Sequence, residues 1–206
     1  MNIRVIIFLV VAVAIVGAGA FVWLTWPKED APVVETPVVE EPTPTTGTIA
    51  SSTMGYTLTY PLDFTVEENH VYPFSSTKNI LGFRVNIPAD MATGTNLSAD
   101  SYVSVEQLPN ARLCTGDIFM KANVKATNVT EAGVAYSIAS SSEGAAGNRY
   151  DEIAYALKDS EPCTAVRYYI HTTNIQNYPE GTVTEFNRTA LLNEFDQIRR
   201  SLQKTN

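Results

Sequence analysis

The stretch over residues 5–26 constrains this chain more than any other feature. It is apolar throughout except for Thr25. As a helix it spans roughly 33 Å, against about 30 Å for the hydrocarbon core of a bilayer. Arg4 precedes it, and Lys28, Glu29 and Asp30 follow it; short positive flanks stay on the cytoplasmic side. Both tryptophans of the chain, Trp23 and Trp26, stand at its outer end, where indole rings favour the membrane interface. Residues 1–26 therefore read as a single-pass anchor of the cell membrane, with the N-terminus inside and the rest of the chain outside. A cleaved signal peptide competes with that reading, because Ala18-Gly19-Ala20 fits the small-x-small cleavage pattern. Against it, Phe21-Val22-Trp23-Leu24 carries the apolar run straight past that site.

Residues 27–47 hold five of the eleven prolines and a five-residue echo, Pro32-Val33-Val34-Glu35 then Pro37-Val38-Val39-Glu40. Such a Pro-rich, acidic segment buries no core and reads as an extended linker reaching roughly 65 Å at most. Residues 48–206 form the extracytoplasmic domain, long enough to bury one core, and they carry all ten tyrosines. The chain has 22 acidic against 14 basic side chains, a net charge of -8. That balance disfavours phosphate backbones, so nucleic acid is not an expected partner. Two histidines and two cysteines are too few for a Cys- or His-rich metal site, and none is expected. No P-loop, dinucleotide fingerprint, nucleophile elbow or HExxH motif occurs, so no cofactor is expected either.

Within the domain, Tyr56-Thr57-Leu58-Thr59-Tyr60 alternates and stops at Pro61, the pattern of a strand. Residues 64–66, 80–87, 102–106 and 124–129 read as further strands, and 114–121 as one or two helical turns. A three-strand meander follows. Val134, Tyr136 and Ile138 share one face over 134–141, residues 142–147 supply the turn, and Ile153, Tyr155 and Leu157 share a face over 148–157. Residues 158–162 turn the chain again, and Thr164, Val166, Tyr168 and Ile170 give the third apolar face. After a capping Asn187, Leu191, Phe195, Ile198 and Leu202 recur at helical spacing as one apolar stripe, with Arg199, Arg200 and Lys204 in its last turns. The fold class is α+β: an antiparallel sheet covered by a C-terminal helix, preceded by a single N-terminal transmembrane helix and a Pro-rich linker.

The run Tyr56-Thr57-Leu58-Thr59-Tyr60-Pro61-Leu62-Asp63-Phe64 resembles the opening of PsbP-like domains, where a strand ends in a proline and a second aromatic strand follows. The meander and terminal helix are similar to their α-β-α sandwich. His171-Thr172-Thr173-Asn174-Ile175 and the following Pro179-Glu180-Gly181-Thr182 resemble a run found in uncharacterised exported bacterial domains. The resemblance implies a non-catalytic assembly or accessory factor, and no metal-binding residue of the family has a match here.

In an oxidising compartment Cys114 and Cys163 are expected to pair; two free buried thiols, or a catalytic cysteine with His171 as its base, are the alternatives. The simplest register sets Tyr136 opposite Ile153 and Ile153 opposite Tyr168. The other face of the meander then carries Ala139, Tyr150 and His171 in one row, Ser137, Glu152 and Tyr169 in the next, and Ala135, Ala154 and Arg167 in the third. Tyr150, Glu152, Arg167, Tyr169 and His171 beside an alanine floor are the candidate ligand groove; a covered face with an ordinary surface pair of Glu152 and Arg167 is the alternative. The functional expectation is a membrane-tethered, non-catalytic binding or assembly module of the cell envelope with an envelope protein as partner. An envelope hydrolase using His171 and Glu152 is the rival.

Overall fold

The computed structural model describes residues 45–75 and 78–205. The apolar stretch over 5–26 and nearly all of the proline-rich segment lie outside them. No helix among the described residues is long and apolar enough to cross a membrane. Among the described residues, ten strands and few helices give a mostly antiparallel α+β fold. β1 (Thr46–Ser51), β2 (Tyr56–Pro61) and the two-residue β10 (Gln203–Lys204) form a small sheet in the order β1-β2-β10. β3 (Thr65–Pro73), β4 (Asn79–Asn86), β5 (Tyr102–Leu108), β6 (Thr127–Glu131), β7 (Val134–Ala145), β8 (Asn148–Leu157) and β9 (Cys163–Thr173) form the large one, in the order β3-β4-β5-β9-β8-β7-β6. β1 thus begins two residues before the position at which the sequence pattern starts the domain.

Period-two alternation sorts the large sheet into two faces. On the first face Phe83, Val105, Val166, Tyr155 and Ile138 form one row across five strands. The helix Arg188–Arg200 covers this face with Leu191, Phe195 and Ile198, joined by Ile49 and Leu58 from the small sheet. Asn187 caps that helix, its side chain accepting a hydrogen bond from the Ala190 amide at 3.0 Å. The apolar stripe read from the sequence is therefore the seal of the core, and Phe195 meets Tyr168 edge-on at 5.3 Å. Arg199 stands in the last turn, as the sequence places it, and is buried there. It lies 4.9 Å from the Tyr136 ring and 4.2 Å from the Tyr155 ring and donates to the Tyr168 hydroxyl.

Two registers decide what the second face carries. β8 and β9 pair as expected, Ile153 opposite Tyr168, Tyr150 opposite His171, Glu152 opposite Tyr169 and Ala154 opposite Arg167. β7 and β8 do not: Tyr136 faces Leu157, not Ile153, a displacement of four residues. The cause is the turn. β7 continues through Ala145, and Ala146 and Gly147 alone make the connection, with φ of 51° and 81°. Two successive positive φ values are the type I′ hairpin, whose twist matches that of the strands. The stretch Ser142-Glu143-Gly144-Ala145, read as part of the turn, is strand. Because the displacement is even, inward and outward faces keep their identity.

β5 lies in the middle of the large sheet and β6 at its far edge, so the 109–126 connection must cross β9, β8 and β7. It does so over the second face, with a 3-10 turn at Gly116–Phe119. A Cβ on Gly116 would stand 2.6 Å from the Ala139 amide nitrogen and 2.8 Å from the Ser137 carbonyl oxygen, so only glycine permits the approach. The Cys114–Cys163 disulfide, with Cα atoms 5.1 Å apart, pins this segment to the start of β9.

Candidate functional site

The second face brings Tyr150, Glu152, Arg167, Tyr169 and His171 together, in two different environments. At one end the alanine floor consists of Ala139, Ala154, Ala156 and Ala165, and Phe119 and Met120 from the crossing segment fill it. Arg167 lies beneath that cover, fully buried. Its Nε and Nη2 donate to the two carboxylate oxygens of Glu106, each at 2.9 Å. Nη2 also donates to the Phe119 carbonyl at 2.6 Å, and Nη1 donates to Glu152. Its guanidinium stacks 3.7 Å from the centre of the Tyr72 ring, and the Tyr72 hydroxyl donates to Glu152 at 2.9 Å. Burial is the largest single influence and opposes the charge on Arg167, but Glu106, Tyr72 and Glu152 together outweigh it and raise the pKa. The pair with Glu152 is thus no ordinary surface pair but one branch of an enclosed network.

Glu106 is the member that sequence reasoning passed over. Its signal was present: Tyr102, Ser104 and Glu106 alternate with Val103 and Val105, so all three share the second face. Ser104 donates to Glu106 Oε1 at 2.8 Å, the same oxygen that accepts from Arg167 Nε. What no local pattern supplies is that β5 pairs with β9, which alone sets Glu106 beside Arg167.

At the other end the face is open. Tyr102 and Tyr169 stack across β5 and β9 at 4.9 Å, Tyr150 and His171 stack across β8 and β9 at 4.5 Å, and Tyr150 lies 6.2 Å from Tyr169. Such cross-strand aromatic pairs stiffen a sheet. Burial, followed by the negative Asp100, pushes the Tyr169 hydroxyl up to about 12. His171 Nδ1 lies 2.8 Å from Asp100 Oδ1, and Nε2 lies 3.1 Å from Asn148 Oδ1. Both ring nitrogens are engaged, and the Glu152 carboxylate is occupied by Tyr72 and Arg167. As placed, the two residues of the hydrolase reading are each tied to partners of their own, Asp100 and Asn148 for His171, Tyr72 and Arg167 for Glu152. Among the described residues, no group of three or more His, Cys, Asp or Glu side chains is arranged to hold a metal ion.

No family model and no curated protein sequence matches the chain. Among solved structures it is similar to a protein from Bacteroides thetaiotaomicron, with 12% identity and a TM-score of 0.44 over 77% of this chain and 48% of that one. It therefore spans about half the length of that protein. It is also similar to cyanobacterial PsbP from Synechocystis, with 10% identity and a TM-score of 0.32 over 84% of this chain and 99% of that one. The resemblance to PsbP-like and bacterial domains thus has a counterpart among solved structures, and neither likeness carries a function to this chain.

Proposed function

We propose that this protein is a membrane-tethered, extracytoplasmic binding or assembly module of the cell envelope, acting without catalysis, and that the open end of the second face, at Tyr150, Tyr169 and His171, meets an envelope protein. The observation that carries the reading is the Cys114–Cys163 disulfide, since stable disulfides belong to oxidising compartments outside the cytoplasm. The apolar stretch over 5–26 supports the tether, and its length suits a bilayer. A binding role is favoured over hydrolysis because general acid–base catalysis needs a group free to exchange a proton with substrate, whereas His171 and Glu152 are each held by two neighbours.

Protease added to intact cells making the full chain tests the topology. Cleavage within 27–47, releasing a protease-resistant domain with its disulfide intact, is expected; protection until lysis overturns the reading. A photoreactive amino acid in place of Tyr150 then tests the surface. One discrete envelope adduct is expected there, and none from the same group at Val129 on the far edge.

A further inference from the structure

We propose that Tyr150 and Glu143 form a slot for a cation, an arginine side chain presented by the envelope partner. The inference rests on the reading that the open end of the second face meets a protein, and it names the chemistry of that contact.

The slot follows from register. In an inner row, Tyr102 on β5 stacks on Tyr169 on β9, and Glu152 on β8 stands opposite Tyr169. In an outer row, His171 on β9 stacks on Tyr150 on β8, and Glu143 on β7 stands opposite Tyr150. A ring stacked on its neighbour across the strands turns its other face to the strand beyond. Each stack therefore ends in a tyrosine face directed at the strand position of a glutamate. Opposite residues of an antiparallel pair stand about 5 Å apart, so one group held between them reaches both.

The two rows differ in who supplies the cation. In the inner row the protein does so itself, since the Arg167 guanidinium donates to Glu152. In the outer row Glu143 is exposed, and among the described residues its carboxylate makes no ion pair and no hydrogen bond. The rings show the same division. On the second face Tyr72 lies under Arg167 and Lys121, and Tyr102 under Arg84, whereas Tyr150 and Tyr169 have no cation over them among the described residues. Arg84 is itself held by Glu67 at 2.7 Å, and Arg167 by two glutamates, so neither is free to cross.

Access and charge select the ligand. β6 begins at Thr127, opposite Ile138, so β7 beyond that point is the edge of the sheet. Ser140, Ser142, Gly144 and Ala145 there are small and exposed, and they leave the approach to Tyr150 clear. Asp100 stands behind the stack, 2.8 Å from His171, and Arg167 offsets only one of Glu106 and Glu152. That surplus of negative charge attracts a cation and repels a carboxylate or phosphate, and the face of a tyrosine ring favours a cation too. A planar guanidinium, unlike an ammonium, lies flat on a ring while its edge donates to a carboxylate. Arg167 does so within this face, 3.7 Å from the centre of the Tyr72 ring and donating to Glu152.

The test is an NMR titration of the full chain in non-ionic detergent with the peptide acetyl-Gly-Arg-Gly-amide, read at the Tyr150 and Tyr169 rings. Saturable shifts with millimolar affinity are expected. The citrulline peptide, which keeps the shape and loses the charge, should bind about tenfold more weakly. Glu143→Gln and Tyr150→Leu should each weaken the arginine peptide about fivefold. Tyr150→Phe, which keeps the ring face, should bind as the parent does, and so should Glu161→Gln in the turn between β8 and β9. Equal binding of the citrulline peptide, or unaltered affinity in Glu143→Gln, overturns the proposal. Tighter binding of phosphocholine than of the arginine peptide assigns the slot to a lipid head and also overturns it. A photoreactive group at Ser141, on the same face as Glu143, separates this inference from the reading beneath it. An envelope adduct whose yield is the same in Glu143→Gln cells leaves the protein partner standing and removes the arginine. Binding of the arginine peptide with no adduct in cells removes the partner and leaves the cation slot.

Discussion

The two faces of the large sheet are closed by different means. Over the first, a helix and a second small sheet lay down apolar side chains from Ile49, Leu58, Leu191, Phe195 and Ile198. Over the second, one crossing segment covers a floor of alanines and a single arginine tied to two glutamates. Apolar burial is non-directional and survives imperfect partners, whereas a buried ion pair is favourable only while every member is present. The faces therefore differ less in how much they stabilise than in how their loss can be repaired.

Two substitutions expose that difference. Phe195→Ala should cost about 3–5 kcal/mol, the usual loss for a buried aromatic, because Phe195 is fully buried against Tyr168. Arg167→Met should cost about as much, roughly 3–5 kcal/mol, through the uncompensated charge it leaves on Glu106. Only the second loss should be repairable. Adding Glu106→Leu to Arg167→Met should restore most of the stability in urea unfolding, and a double variant no better than the single one would break the comparison.

Removing the disulfide with Cys114→Ser and Cys163→Ser should cost about 2–4 kcal/mol. The bond joins residues 49 apart and holds the cover of the second face alone. Hydrogen exchange should therefore accelerate at Gly116–Phe119 and in the strands beneath it, while the helix Arg188–Arg200 stays protected. Equal acceleration on both faces would show that they do not open separately.

The sequence was legible where a pattern is local. Alternation in β2, β8 and β9, the Asn187 cap and the Leu191, Phe195 and Ile198 part of the stripe appear in the structure as read, whereas the helix ends at Arg200, so Leu202 lies beyond it and Lys204 belongs to β10. The β8–β9 register was legible because Lys158 to Pro162 is an unmistakable turn between two apolar strands. The β7–β8 register was not, because Ser142, Glu143, Gly144 and Ala145 look like turn residues until the Ala146-Gly147 turn extends the strand through them. Of the candidate groove, the shared face was legible from parity alone. The enclosure of Arg167 was not, since it depends on the β5–β9 pairing and on a crossing segment whose route follows from topology. The burial of Arg199 was not legible for a related reason: its cage of Tyr136, Tyr155 and Tyr168 comes from three strands.

A smaller effect separates the helix from the sheet it covers. Asn187→Ala removes the one side chain that caps the helix start and should cost about 1 kcal/mol. Its helical signal should fray at the N-terminal turn while the aromatic signals of the second face, Tyr150 and Tyr169, stay unchanged.

Acid should loosen the two faces in separate windows. On the second face, the pKa of His70 is lowered from 6.5, with burial the chief cause. The unfolded chain then binds the proton more tightly than the folded one, so this contribution is complete above about pH 6.5 and is lost as pH falls through the folded value. The groups facing the ring do not reverse the sign: Glu106 and Glu67 favour the proton, Arg84 and Arg167 oppose it, and burial exceeds them all. Asp151 anchors the start of the terminal helix through Arg188 at 2.6 Å and is also held by Arg149 at 2.9 Å. Burial would raise its pKa, but hydrogen bonds from Ser142, Arg149 and Arg188 together hold it below 3.8. Its contribution is complete above that value and disappears only in stronger acid. Unfolding free energy measured against pH should therefore fall in two steps. His70→Phe should flatten the step that begins near pH 6.5, and Asp151→Asn the one that begins near pH 3.8. A single step abolished by either variant would mean that one cooperative unit carries both faces.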